Sequence, residues 1–263
     1  LGMDEVTTVD LLAITRAEMI ENIKAIRAEK DTQASSESID KEENPVYDFQ
    51  IKEQTAYLQL KSFNRQKLEA QNIKPEKFYG PFIDKMRAAK VKDFVVDLRG
   101  NSGGISEMAA KLLPYVIQSN FGEVYLTSRS WKGQTRRYKL PNKRLKNGFT
   151  GQLWVLVDGH TFSAGSNMAR YLKEYANAIV LGEETATRYE GFIAGSSERV
   201  VLPHSNIEVR IWRWHKELSA STKQTTTNRG LIPDHLVVNS IAAVLAERDL
   251  IMEKVDQLIK ENR

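Results

Sequence analysis

At 263 residues with no cysteine, the chain has room for one large α/β domain and no access to disulfides, thiolate catalysis or cysteine-bound zinc. Hydrophobic side chains make up 41% and charged ones 27%, an ordinary globular balance, and no apolar run reaches the ~18–20 residues a membrane span needs. The net charge of +4 is uneven: residues 128–148 hold Arg129, Lys132, Arg136, Arg137, Lys139, Lys143, Arg144 and Lys146 with no acidic side chain. Without a recognition helix or an aromatic ladder, this stripe reads as a solvated hairpin with a flanking loop, and nucleic acid is not an expected partner.

Residues 9–30 place Leu12, Met19, Ile20, Ile23 and Ile26 on one helical face, which predicts an amphipathic helix. The start, Leu1-Gly2-Met3-Asp4, lacks the basic pattern of a secretory signal, which leaves the address open. Residues 31–44 are polar and read as a linker closed by Pro45. The expected organisation is a helical segment (1–30), a flexible linker (31–45) and an α/β core (46–263). Within the core, 56–60 alternates like a strand and 75–90 suits a helix interrupted by Gly80-Pro81. A buried strand at 94–98 runs through Arg99–Gly104 into a helix over 106–118, and a strand at 124–126 follows. Leu153–Val157 leads through a small polar turn into a helix over 164–176, and 179–181 is the next strand. Strands at 199–202 and 207–214 and a helix over 240–260 complete the pattern, in which strand, glycine turn and helix recur as in an α/β sheet with crossover helices. Trp212 and Trp214 read as packing residues on one sheet face. The helices at 9–28 and 240–260 suit either a homo-oligomer contact or docking within one chain.

Two turns at the carboxyl ends of buried strands are where such sheets hold ligands. In Asp97-Leu98-Arg99-Gly100-Asn101-Ser102-Gly103-Gly104, paired glycines permit close backbone approach, and amides beside a helix start suit a negative oxygen. The ending of a phosphate P-loop is absent. In Thr161-Phe162-Ser163-Ala164-Gly165, a serine opens a helix, which suits either an N-cap or a nucleophile, although the GxSxG elbow is not matched. The histidines, His160, His204, His215 and His235, are scattered, with no metal-ligand spacing, so neither metal nor cofactor is expected.

The two turns, followed in order by Gly182-Glu183-Glu184-Thr185 and by Gly230-Leu231-Ile232-Pro233-Asp234, resemble the serine peptidases of the C-terminal processing protease and tricorn core family over residues 50–260. The resemblance implies a ClpP/crotonase-like core of repeated ββα units, a peptide or protein substrate bound as an added strand, and an extracytoplasmic setting. It makes Ser163 the nucleophile, with the Gly103 and Ala164 N–H groups as oxyanion hole and Arg99, Gly104, Thr185 and Arg188 as scaffold. The family's PDZ-like domain has no room between residues 30 and 50.

The base is the departure. The processing proteases carry a lysine just beyond Gly-Glu-x-Thr, where this chain has Arg188, which does not deprotonate. The tricorn branch carries an early-strand histidine, where this chain has Gln59. His160 and Glu190 are the remaining candidates near the serine in sequence, and the third expectation is a base supplied by a segment absent here. Two functions follow: a serine peptidase with an atypical base, or an inactive pseudo-peptidase that binds extended peptides. A crotonase-type acyl-thioester enzyme is a third reading, against which the serine turn and Gly-x-x-Pro-Asp argue.

Overall fold

In the computed structural model the chain divides into two units, residues 1–44 and Pro45–Arg263. The structure describes residues 45–219 and 223–262, together with Glu21. The helix expected at 9–30 and the linker at 31–44 lie outside the described residues, Glu21 apart.

Alternation in Tyr47-Asp48-Phe49-Gln50-Ile51-Lys52 makes β1 (Tyr47–Lys52), which turns at Glu53 (φ 52°) and pairs antiparallel with β2 (Thr55–Leu60). From β2 onward the large sheet is parallel: β3 (Asp93–Asp97), β6 (Gln152–Val157), β7 (Ile179–Gly182) and β10 (His235–Leu236), in the order β1-β2-β3-β6-β7-β10. Pairing of Gln59 with Asp97, Asp97 with Leu156, and Val157 with Gly182 sets the carboxyl ends in one row.

Strands covered on both faces are apolar throughout, and the side-chain alternation sorts them into two cores. Phe94, Val96, Leu153, Val155 and Val157 join the larger core with Met168 and Leu172 of α6 (Ala164–Ala176). Val95, Trp154, Leu156 and Leu181 face Ile251, Val255 and Ile259, one stripe of α8 (Leu250–Glu261). Trp154, with no exposed surface, donates its indole N–H to Asp93 Oδ1 at 3.1 Å. The larger core is closed by α1 (Arg65–Ala70), α2 (Pro75–Phe78), α3 (Gly80–Ala88), α4 (Ser106–Ala110) and α5 (Leu113–Val116).

The helix expected over 106–118 is two short pieces, because Pro114 cannot donate to a continuing ladder. That expected over 240–260 is α7 (Ile241–Leu245) and α8, separated where Glu247 turns at φ 54° and Asp249 caps α8 by accepting from Met252 N–H.

A second, antiparallel sheet runs β5-β4-β9-β8, from β4 (Val124–Ser130), β5 (Thr135–Lys139), β8 (Gly191–Val201) and β9 (Glu208–Leu218). The basic stripe is largely the exposed hairpin arm β5 with its flanking loop. β8 starts eight residues before the expected strand at 199 and bulges between Ala194 and Ser197, where Gly195 (φ 90°) packs on Trp214.

Candidate active site

The turn after β3 is held by its own polar side chains. The Asp97 carboxylate accepts from Arg99 N, Nε and Nη2 at 3.0, 2.9 and 2.7 Å, and the Arg99 Nη1 reaches Asp249 at 2.7 Å. Burial works to lower the Arg99 pKa, but the two carboxylates outweigh it and hold its proton more tightly than usual. Fully buried Asn101 donates Nδ2 to Leu60 O at 2.7 Å, accepts from Gly103 N–H on Oδ1 at 2.8 Å, and accepts from Phe162 N–H on its carbonyl at 2.9 Å. It therefore ties the glycine turn to the serine turn. Glycine is required at both ends of this contact: a Cβ on Gly103 (φ 89°) would lie 2.7 Å from Ser163 Cβ, and one on Gly104 (φ 141°) 1.8 Å from Phe63 O.

The turn after β6 is built around Asp158, whose carboxylate accepts from Gly100 N–H and His160 N–H at 3.0 Å. Ser163 sits at the head of α6 with φ 51° and ψ −119°, a backbone that a side chain rarely adopts and that costs ~1–3 kcal/mol. Its N–H donates to the buried Thr187 hydroxyl at 2.6 Å, and its own hydroxyl makes no capping bond. The N-cap reading of Ser163 thus gives way to a strained residue whose oxygen is not engaged by the helix. It opens on a cavity of about 890 Å³, together with Gly104, Phe162, Thr187 and Arg188.

The other expected site residues distribute as follows. The Gly103 N–H donates to Asn101 Oδ1 at 2.8 Å; Gly104, the next residue, lines the cavity, and its N–H donates to no described residue. Ala164 is buried, and its N–H also finds no acceptor among the described residues. His160 is exposed and opens on a different cavity of about 410 Å³, with Gln59, Arg99 and Glu183, so nearness in sequence does not bring it into the serine's cavity. Glu190 is likewise not in the serine's cavity wall: it accepts from Asn228 N–H at 2.7 Å and lies 3.6 Å from Arg188. Burial works to raise the Glu190 pKa, but backbone N–H groups and the Arg188 guanidinium hold it below the usual range. Exposed Arg188 lines the serine's cavity, and buried Thr185 exchanges bonds with Leu231, through N–H to O at 3.1 Å and Oγ1 from N–H at 3.0 Å.

The later motifs are explained by close packing. A Cβ on Gly230 would lie 1.8 Å from Thr185 O, and the Glu184 carboxylate accepts from Gly230 N–H at 2.7 Å. Asp234 accepts from Val180 N–H at 2.9 Å and pairs with Lys173 of α6 at 2.7 Å, which seats β10 beside β7.

Sequence reasoning missed the opposite wall. Trp212, His215 and Lys216 of β9 line the serine's cavity, facing Phe192 and Ile193 of β8, and Trp212 is 47% exposed, so it is not a packing residue. Trp214 does pack, under the Arg136 guanidinium 4.6 Å away. Burial lowers the Lys216 pKa, with Glu107 opposing. No local motif marks these residues, since only strand pairing brings them here.

The strand-end row and the serine turn together define an α/β protein with a hydrolase-like site. The model of peptidase family S41 matches residues 54–237, and the chain belongs to that family. A candidate S41 protease from Bacteroides fragilis superposes with a TM-score of 0.57 at 14% identity, over 83% of this chain and 58% of that one. A lipoprotein from Streptococcus agalactiae gives 0.53 at 13%, over 82% and 70%. The photosystem II D1 C-terminal processing protease gives 0.47 at 22%, over 70% and 42%, so this chain spans under half of that protein's length. A search of curated proteins finds no match.

Proposed function

We propose that the protein is a serine-type peptidase with Ser163 as nucleophile, built on a ClpP/crotonase-like core. The single observation that carries this reading is the Ser163 backbone: φ 51° at the head of a buried helix, with a hydroxyl that caps nothing and faces a cavity. Strain of this kind is maintained where surrounding structure enforces it, and here Thr187, Asn101 and Gly103 do so. The oxyanion hole in this reading is the Ala164 N–H with the Gly104 N–H of the glycine turn, which lines the cavity and has no internal acceptor among the described residues. Each such donor contributes ~3–4 kcal/mol to the transition state. The substrate is an extended peptide added along β8, an edge strand whose Gly191–Gly195 stretch lines the cavity. An extracytoplasmic setting goes with the family resemblance.

The specific observation on the other side is the pair Arg188 and Gln59 at the expected base positions, which favours a peptide-binding pseudo-peptidase. A fluorophosphonate probe separates the two. Labelling of the wild type that is lost in Ser163→Ala supports the peptidase; no labelling, with peptide binding retained in Ser163→Ala, supports the pseudo-enzyme.

A further inference from the structure

Resting on the peptidase reading above, we propose that Lys216 is the general base for Ser163, reaching it from β9 across the shared cavity in place of the family lysine that Arg188 displaces. The charged or titratable groups lining that cavity are Arg65, Glu107, Arg188, His215 and Lys216. Both arginines stay protonated.

The choice between His215 and Lys216 is made by strand parity. Lys216 pairs with Phe192, which packs against the main core, and it shares its face with buried Leu218. His215 pairs with Ile193, 63% exposed, and lies on the other face. The Lys216 ammonium makes no hydrogen bond or salt bridge among the described residues and rests 5.7 Å from the centroid of the Phe192 ring. A half-buried amine against an aromatic ring loses part of its hydration, which favours its neutral form, and the direction of its pKa agrees. Its long stem leaves the nitrogen free to swing. Lys173, the buried lysine of α6, is excluded by its bonds to Asp234 and Ile232 O.

In the first step the neutral Lys216 amine takes the Ser163 Oγ proton as Oγ bonds to the scissile carbonyl carbon, and the carbonyl π pair moves to oxygen. The ammonium then returns that proton to the leaving amide nitrogen as the C–N bond breaks, giving a free amine and an acyl ester. Water adds to the ester with its proton passing to Lys216, and collapse releases the carboxylic acid with the proton restored to Oγ. No other reactant is needed.

The test is the rate of fluorophosphonate labelling between pH 6 and 11, with folding followed by circular dichroism. Lys216→Arg keeps charge and bulk but cannot accept a proton, and it should label ~10²–10⁴-fold more slowly at pH 8. Lys216→Ala should fall as far and be partly rescued by added methylamine, which a purely structural role would not allow. Lys139→Met, an exposed lysine of β5, should match the wild type. Labelling of Lys216→Arg at the wild-type rate and with the wild-type pH profile overturns the proposal while leaving Ser163 as nucleophile. Loss confined to His215→Ala also overturns it. A folded wild type that never labels overturns the peptidase reading itself, and this assignment with it.

Discussion

Replacing Gly104 by alanine tests the joint between the two turns. The added Cβ would lie 1.8 Å from Phe63 O, so the Phe63–Gly104 bridge must open. Opening it breaks Phe63 N–H to Gly103 O (3.1 Å) and Ile105 N–H to Phe63 O (2.9 Å). Each is worth about 1 kcal/mol net. Backbone strain at positive φ adds about 1–2 kcal/mol. Gly100→Ala is the matched control: φ is 72°, but nothing lies within 4 Å of its Cβ, so it carries strain alone. Any gain from stiffening the unfolded chain is common to both and cancels in the difference. Urea unfolding followed by circular dichroism should therefore find Gly104→Ala less stable than Gly100→Ala by about 2 kcal/mol or more. Equal destabilisation of the two variants, within ~0.5 kcal/mol, would refute the claim that the carbonyl wall, not the dihedral, dictates glycine at 104.

Three other outcomes are expected. Ser163→Gly should raise the melting temperature by roughly 2–4 °C, because the strain at φ 51° is relieved at about 1 kcal/mol net, and Ser163→Ala should leave it nearly unchanged; a fall of that size in the alanine variant would restore the capping role. Burial works to raise the Asp249 pKa, but Arg99 and the Met252 N–H outweigh it and leave it low. A depressed carboxylate stabilises fully above its unfolded value of about 4 and loses that contribution as pH falls through the lower folded value. Asp249→Asn, which keeps the cap, should thus melt below the wild type at pH 7 and alongside it near pH 2; a gap independent of pH counts against the Arg99 pairing. Glu107 raises the Lys216 pKa, so Glu107→Gln should shift the labelling profile toward acid, and a shift toward alkali would show that Glu107 acts otherwise.

The parallel strands and α6 are legible in the sequence because both faces of β3 and β6 are covered, which leaves unbroken apolar runs between glycine turns. Breaks inside helices are harder to read, since Pro114 and the Glu247 turn interrupt periodicity without abolishing it. The start of β8 is hard to read for a related reason: Gly191, Gly195 and two serines carry no apolar alternation, yet the strand bends through a bulge there and carries the cavity wall. In the site, the motifs locate both turns, because Gly104 and Gly230 are dictated by carbonyl oxygens that would lie 1.8 Å from an added Cβ. They do not reveal which amide is free, because that depends on where the Asn101 side chain points.

The search for a base fails in sequence for a geometric reason. His160 and Ser163 are three apart in a tight turn that Asp158 and Thr161 fold back on itself, and the two open on different cavities. Lys216 is far away in the chain, but β9 runs antiparallel to the strand that begins three residues after Arg188, so pairing with Phe192 returns a lysine to the neighbourhood of the position where an arginine now stands. An arginine at 188 remains a fixed cation, which can hold an acidic or terminal carboxylate but cannot take a proton. On the peptidase reading, the proton acceptor is then a group whose charged form burial disfavours, and Lys216, which lines that cavity beside Phe192, is shifted in that direction.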